Sequence, residues 1–173
     1  MSSVEIRPAR EADLPAITAI YNDAVRHTTA IWNERTVDEA DRRAWLASRR
    51  EAGLPVLVAL DGDEVVGYAS FGPWRAFDGY RHTVEHSVYV RADQRGRGIG
   101  RALMAELIER ARALGMHVMV AAVEAGNAGS IRLHETLGFV SAGVLPQVGA
   151  KFGDWLDLDL LLLRLDDRAA PPA

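Results

Sequence analysis

Apolar and polar positions along this chain switch between a period of two and a period near 3.6. Val4 to Arg7 alternates as a short strand does. Asp13 then precedes Leu14-Pro15, a cap with proline in the first helical turn, and Ile17, Ile20, Tyr21 and Val25 continue at helical spacing. A second helix is expected over Val37 to Ala52, stopped by Gly53. Val56 to Leu60 and Val65 to Phe71 flank Asp61-Gly62-Asp63 in the pattern of a hairpin, and Thr83 to Val90 reads as a further strand. After Gly98-Ile99-Gly100, Leu103, Leu107, Ala111 and Leu114 mark one face of the clearest helix, which Gly115 ends. His117 to Val123 is almost continuously apolar, which predicts a central strand. Ala128 to Leu137 predicts a short helix stopped at Gly138. From Trp155 to Leu165, Leu156, Leu158, Leu160 and Leu162 oppose Trp155, Asp157 and Asp159, so a strand with a solvated face is expected. Strands and helices alternate without repeat or linker, which predicts an α/β (α+β) fold in one domain over residues 1–173. Its core spans about 4–165, with a frayed tail at 166–173.

Composition narrows the function. The 173 residues are 49% hydrophobic and 25% charged, which excludes a disordered chain. Lys and Arg number 20 against 24 Asp and Glu, a net charge of −4 that speaks against nucleic acid as a partner. No apolar run approaches the ~20 residues of a membrane span, and Glu5, Arg7, Arg10, Glu11 and Asp13 interrupt any signal-peptide core. No membrane partner is expected, and the expected setting is the cytoplasm. The absence of cysteine removes disulfides, thiolate metal sites and cysteine acyl-enzymes. The five histidines form no ligand pattern, and no metal is expected.

The most informative stretch runs from Val88 to Arg101, a strand entering Arg95-Gly96-Arg97-Gly98-Ile99-Gly100-Arg101 and then an amphipathic helix. Glycines at alternate positions let backbone N–H groups converge on a ligand, and the helix start adds unpaired N–H groups and positive dipole. The loop suits a pyrophosphate. It lacks the Lys-Ser or Lys-Thr pair of a P-loop, and its spacing is not that of a dinucleotide fingerprint.

Arg95-x-x-Gly98-x-Gly100 between strand and helix resembles the acetyl-CoA loop of the GNAT N-acetyltransferases, and Asn127 to Phe139 resembles the next block of that superfamily. Thr83 to Val90 and Val148 to Leu158 resemble the phosphinothricin and methionine sulfoximine acetyltransferase branch. The resemblance covers about Val4 to Leu165 and implies a central mixed twisted sheet with splayed parallel strands, flanked by helices. It also implies acetyl-CoA as donor cosubstrate, a methionine-derived or phosphinic amino acid as acceptor, and a homodimer.

Carried onto this chain, the resemblance puts the pantetheine arm on the backbone of Val88, Tyr89 and Val90, with Asn127 and Ser130 beside it. The pyrophosphate falls to Arg95, Gly96, Arg97, Gly98, Ile99, Gly100 and Arg101. Asn127 is equally a helix cap. Glu85 is the candidate general base, since an aliphatic ammonium must lose a proton before attack. His86, its neighbour, is expected on the opposite face. Arg75, Ala76, Phe77, Glu85, His86 and Ser87 are the implied acceptor contacts, with Arg75 suited to clamp a carboxylate. Lys151 and Trp155 are candidates for shaping the pocket or a dimer contact, and His134 for packing or for protonating the leaving thiolate. Acetylation of protein N-termini or other amines, and a non-catalytic acyl-CoA sensor, are the competing readings.

Overall fold

The computed structural model describes residues 4–172. One seven-stranded sheet runs in the order β1-β2-β3-β4-β5-β7-β6. The strands are β1 (Glu5–Pro8), β2 (Val56–Asp61), β3 (Glu64–Pro73), β4 (Thr83–Val90), β5 (Val118–Glu124), β6 (Val140–Lys151) and β7 (Asp154–Arg164). The helices are α1 (Leu14–His27), α2 (Glu39–Glu51), α3 (Ile99–Ala113) and α4 (Ala128–Thr136). Every neighbouring pair is antiparallel except β4 and β5, which are parallel.

The sheet separates two apolar layers. Ile17, Ile20, Tyr21 and Val25 of α1 and Leu46 of α2 pack with Val56, Val58 and Tyr68 on one face. Leu103, Met104, Leu107 and Ala111 of α3 pack with Leu57, Phe71, Met119 and Leu161 on the other. Leu114, expected on the buried stripe of α3, lies at its C-cap and is exposed. Asp38 caps α2 by accepting from the Asp41 amide at 2.8 Å. Asp13 does not cap α1: its carboxylate accepts two hydrogen bonds from Arg7 and one from the Arg10 amide, closing a short 3-10 turn ahead of the helix.

Two expectations are corrected at the C-terminal end. The leucine phase read for β7 holds only at its start. Leu156 is buried, but further along the buried residues are Asp159, Leu161 and Leu163, while Leu162 is exposed. The first residues of β7 pair only with β6 and extend past β5, whose last partner is Leu158, and the β6–β7 register shifts between Leu145 and Gly149. The offset turns Asp159 inward, where it accepts from the Ser141 hydroxyl at 2.6 Å, so it does not belong to a solvated face. The stretch expected to fray is tied down at its start: Asp166 bonds His117 at 2.7 Å, and Arg168 bonds both Asp166 and the Gly115 carbonyl.

Candidate active site

Strands β4 and β5 pair only from Thr83–Val118 to Glu85–Val120. Beyond that point they part, while β4 continues along β3 through Val90. The backbone of Val88 to Val90 is therefore bonded on one side and open on the other. A cleft of about 550 Å³ fills the wedge. It is lined by Val88, Tyr89, Val90, Arg95, Gly96, Gly98, Ile99, Gly100, Arg101, Asn127 and Ser130, with Ile20, Ala24, Thr28 and Ala30 forming a wall from α1 and the loop after it. That wall had no sequence signal, because its residues are small or apolar and read only as helix packing.

The loop meets the requirements of an anion cradle. Gly96 and Gly98 have φ of +78° and +79°, and Gly98 caps α3 without a side chain, leaving the first amides of the helix directed at the cleft. Arg97 departs from the expectation for its side chain. Its guanidinium turns away to Asp61 at 2.7 Å and to Gln94, so only its backbone remains a candidate contact. Asn127 Oδ1 accepts from the Ser130 amide at 3.1 Å, the cap reading, which leaves its amide nitrogen for a ligand. Leu133, one turn on, closes the cleft floor.

Glu85 stands where the strands part. It is half-buried, and burial pushes its carboxyl above the usual carboxylate range, an effect that the positive charge of Arg75 partly offsets. Glu85, Ser87 and Tyr89 share the sheet face that carries α1 and α2, because side chains alternate along β4. Tyr89 packs between Tyr21 and Tyr68, and burial pushes its hydroxyl up to about 12, so it is a neutral donor at physiological pH.

His86 faces the other way. It is buried, with its ring stacked on His134 and edged by Phe139. Its implied contact with an acceptor is thus confined to its backbone. His134 is 1% exposed, with Nε2 on His86 and Nδ1 on the Ser130 carbonyl at 2.7 Å, a packing residue with both ring nitrogens engaged. Lys151 is buried and donates to the carbonyls of Thr28 and Ile31, pinning the end of β6 to the loop that walls the cleft. Arg75 lies over the Trp74 ring at 4.7 Å, and Phe77 is 77% exposed, so the two implied acceptor contacts on this loop are open to solvent among the described residues. Among the described residues, no group of three His, Asp or Glu side chains is arranged to hold a metal ion.

Residues 17–139 match the acetyltransferase (GNAT) family. This chain belongs to that family. Over 171 residues, covering 98% of this chain and 99% of the relative, it is 61% identical to L-methionine sulfoximine/L-methionine sulfone acetyltransferase of Pseudomonas aeruginosa strain PAO1. It is 44% identical to the phosphinothricin N-acetyltransferase of Alcaligenes faecalis over 157 residues, 90% of this chain and 80% of that one. A Salmonella typhimurium acetyltransferase solved with acetyl-CoA superposes with a TM-score of 0.97 at 56% identity, covering 99% of both chains. The mixed, splayed sheet of this GNAT acetyltransferase is thus the fold that the resemblance implied.

Proposed function

We propose that this GNAT enzyme transfers the acetyl group of acetyl-CoA to the amine of a small amino-acid analogue, namely methionine sulfoximine, methionine sulfone or phosphinothricin. The observation that carries this reading is Glu85, a half-buried carboxyl with raised proton affinity where the cleft strands part. Backbone groups of Val88 to Val90 pair with the pantetheine arm, the amides from Gly96 to Arg101 hold the pyrophosphate, and Asn127 and Ser130 flank the arm. Bound acetyl-CoA supplies an activated thioester. Glu85 takes one proton from the acceptor ammonium, directly or through water; the freed amine attacks the thioester carbonyl, the C–S bond breaks as the amide bond forms, and the second proton of the attacking nitrogen passes through solvent to the departing thiolate, which leaves as CoA thiol. An amide near Val88 stabilises the developing oxyanion. Attack is direct within a ternary complex, consistent with a chain that has no cysteine.

The acceptor lies against Glu85, Ser87 and the backbone of His86, with Arg75, Ala76 and Phe77 approaching from their loop. The positive charge of Arg75 suits a free amino acid, whose carboxylate it neutralises, better than a peptide N-terminus. A homodimer is part of the reading. Strand β6 is an edge strand, exposed except at its last residues. Val140, Val144, Leu145, Val148, Phe152 and Trp155 form an exposed apolar strip on the β6–β7 ribbon. A long apolar edge of this kind is a surface that proteins cover. No helix among the described residues is long and apolar enough to cross a membrane, and we assign the enzyme to the cytoplasm.

The test is release of CoA thiol with acetyl-CoA and a panel of methionine sulfoximine, methionine sulfone, phosphinothricin and N-terminal peptides. Turnover of the amino-acid analogues alone supports the reading. Turnover of peptides alone moves the acceptor, and CoA binding without any turnover favours an acyl-CoA sensor.

A further inference from the structure

Helix α2 meets the sheet with Arg42, Trp45, Leu46 and Arg49, spaced i, i+3, i+4 and i+7, where an amphipathic helix normally carries apolar residues. Only Leu46 is buried. Arg42 is well provided for: its guanidinium bonds Asp41 at 2.6 and 2.9 Å and lies over the rings of Tyr21 and Trp45. Arg49 is not. Its Nε is buried without a hydrogen-bond partner among the described residues. Burial and the charge of Arg42 both weigh against its cationic form. A half-buried guanidinium left in this way is unfavourable until an anion reaches it.

The position of Arg49 says which anion. The guanidinium rests on Gly72 of β3, where a Cβ would fall 2.8 Å from Cζ, so the seat exists only because that residue has no side chain. Gly72 is the direct cross-strand partner of Glu85, and opposed residues face the same side of a sheet. Arg49 therefore stands over the strand that neighbours the proposed base, on the same face of the sheet. An α-amino acid carries its carboxylate two bonds from its amine. With the amine at Glu85, a carboxylate turned toward β3 meets Arg49.

We propose that Arg49 binds the α-carboxylate of the acceptor as the fixed half of a clamp whose other half is the loop-borne Arg75. This inference rests on the free-amino-acid reading above. Arg49, on a helix and seated against β3, sets the position of the carboxylate; Arg75, on an exposed loop, closes over it.

The experiment compares the wild type, Arg49→Met and Arg49→Lys with L-methionine sulfone and with its carboxamide, which keeps the amine and side chain but removes the charge. Arg49→Met is expected to raise the KM for the acid about 10- to 100-fold, the value of a charge-assisted hydrogen bond. The KM values for acetyl-CoA and the carboxamide should stay unchanged, and Arg49→Lys should lie between. Equal losses for acid and carboxamide would reduce Arg49 to a support for α2, and an unchanged KM for the acid would also overturn the proposal. If Arg49→Met does not fold, Gly72→Ala, which displaces the guanidinium, makes the same comparison. A wild type silent toward both compounds refutes the free-amino-acid reading and this inference together; an active wild type with an indifferent Arg49→Met refutes this inference alone.

Discussion

His134 Nε2 lies 3.0 Å from His86 Nε2 in a buried stack between β4 and α4. The Ser130 carbonyl accepts at His134 Nδ1, which requires a proton there. His134 Nε2 is then the acceptor and His86 Nε2 the donor, and His86 Nδ1 is left buried without a partner. Both rings are neutral. Burial, reinforced by the proximity of His134, pushes His86 down to about 3, and burial lowers His134 as well.

The consequence is an acid-labile fold. In the unfolded chain a histidine protonates near 6.5, whereas His86 in the folded chain resists protonation until about 3. Between those values the unfolded state binds more protons, so stability falls as pH falls, by up to about 1.4 kcal/mol per pH unit for one such group. Melting temperatures measured from pH 7 to 4 should show this slope. His86→Leu should lower stability at pH 7, because it orphans His134 Nε2, yet flatten the slope; an unchanged slope would contradict the assignment.

Glu85→Gln should reduce turnover by about 10²- to 10⁴-fold, the range of general-base catalysis, with acetyl-CoA affinity retained. Equal losses in both would remove the base role. The acid limb of kcat/KM should inflect above the ordinary carboxyl value, since the active form is the carboxylate and burial disfavours it. Arg75 now offsets part of that effect, so Arg75→Gln should move the limb to higher pH. A shift to lower pH would show that Arg75 does not act on Glu85.

Gly98→Val should abolish tight CoA binding. The backbone there has φ of +79°, which a β-branched residue adopts only at a cost of about 1–2 kcal/mol. A Cβ at Gly98 meets no protein atom within 4 Å, so the side chain has room to stand in the cleft mouth. Calorimetric CoA affinity close to wild type would mean that the loop does not hold the pyrophosphate.

Val144→Glu combined with Trp155→Glu should convert a dimer to a monomer in sedimentation equilibrium. Both residues lie on the exposed apolar strip, at 50% and 70% exposure, so the fold of a single chain should survive the change. A wild type that sediments as a monomer would refute the homodimer.

The glycine loop and the strands around it were legible because their requirements are local. A left-handed turn needs glycine, a helix needs its stripe of leucines, and a central parallel strand needs a continuous apolar run. The same locality explains what was missed. Strand β6 contains Gly143, Pro146 and Gly149, which read as turn residues, and an edge strand tolerates them because one side of its ladder is unpaired. The phase of β7 depends on how far it overhangs β5, which no alternation within one segment can express.

For the site, the sequence pointed to the strand and glycine loop whose Val88 to Val90 and Gly98 to Arg101 line the cleft, and through the family resemblance to Glu85 as the candidate base. Tertiary structure decided what surrounds them. It turned Arg97 toward Asp61, sent His86 to the opposite face to meet His134, buried Lys151 against the carbonyls of Thr28 and Ile31, and seated Arg49 on Gly72. Each of these contacts joins residues from separate elements of the fold. A period of two or 3.6 reports which way a side chain points within its own element, whereas its partner is fixed only when the elements pack.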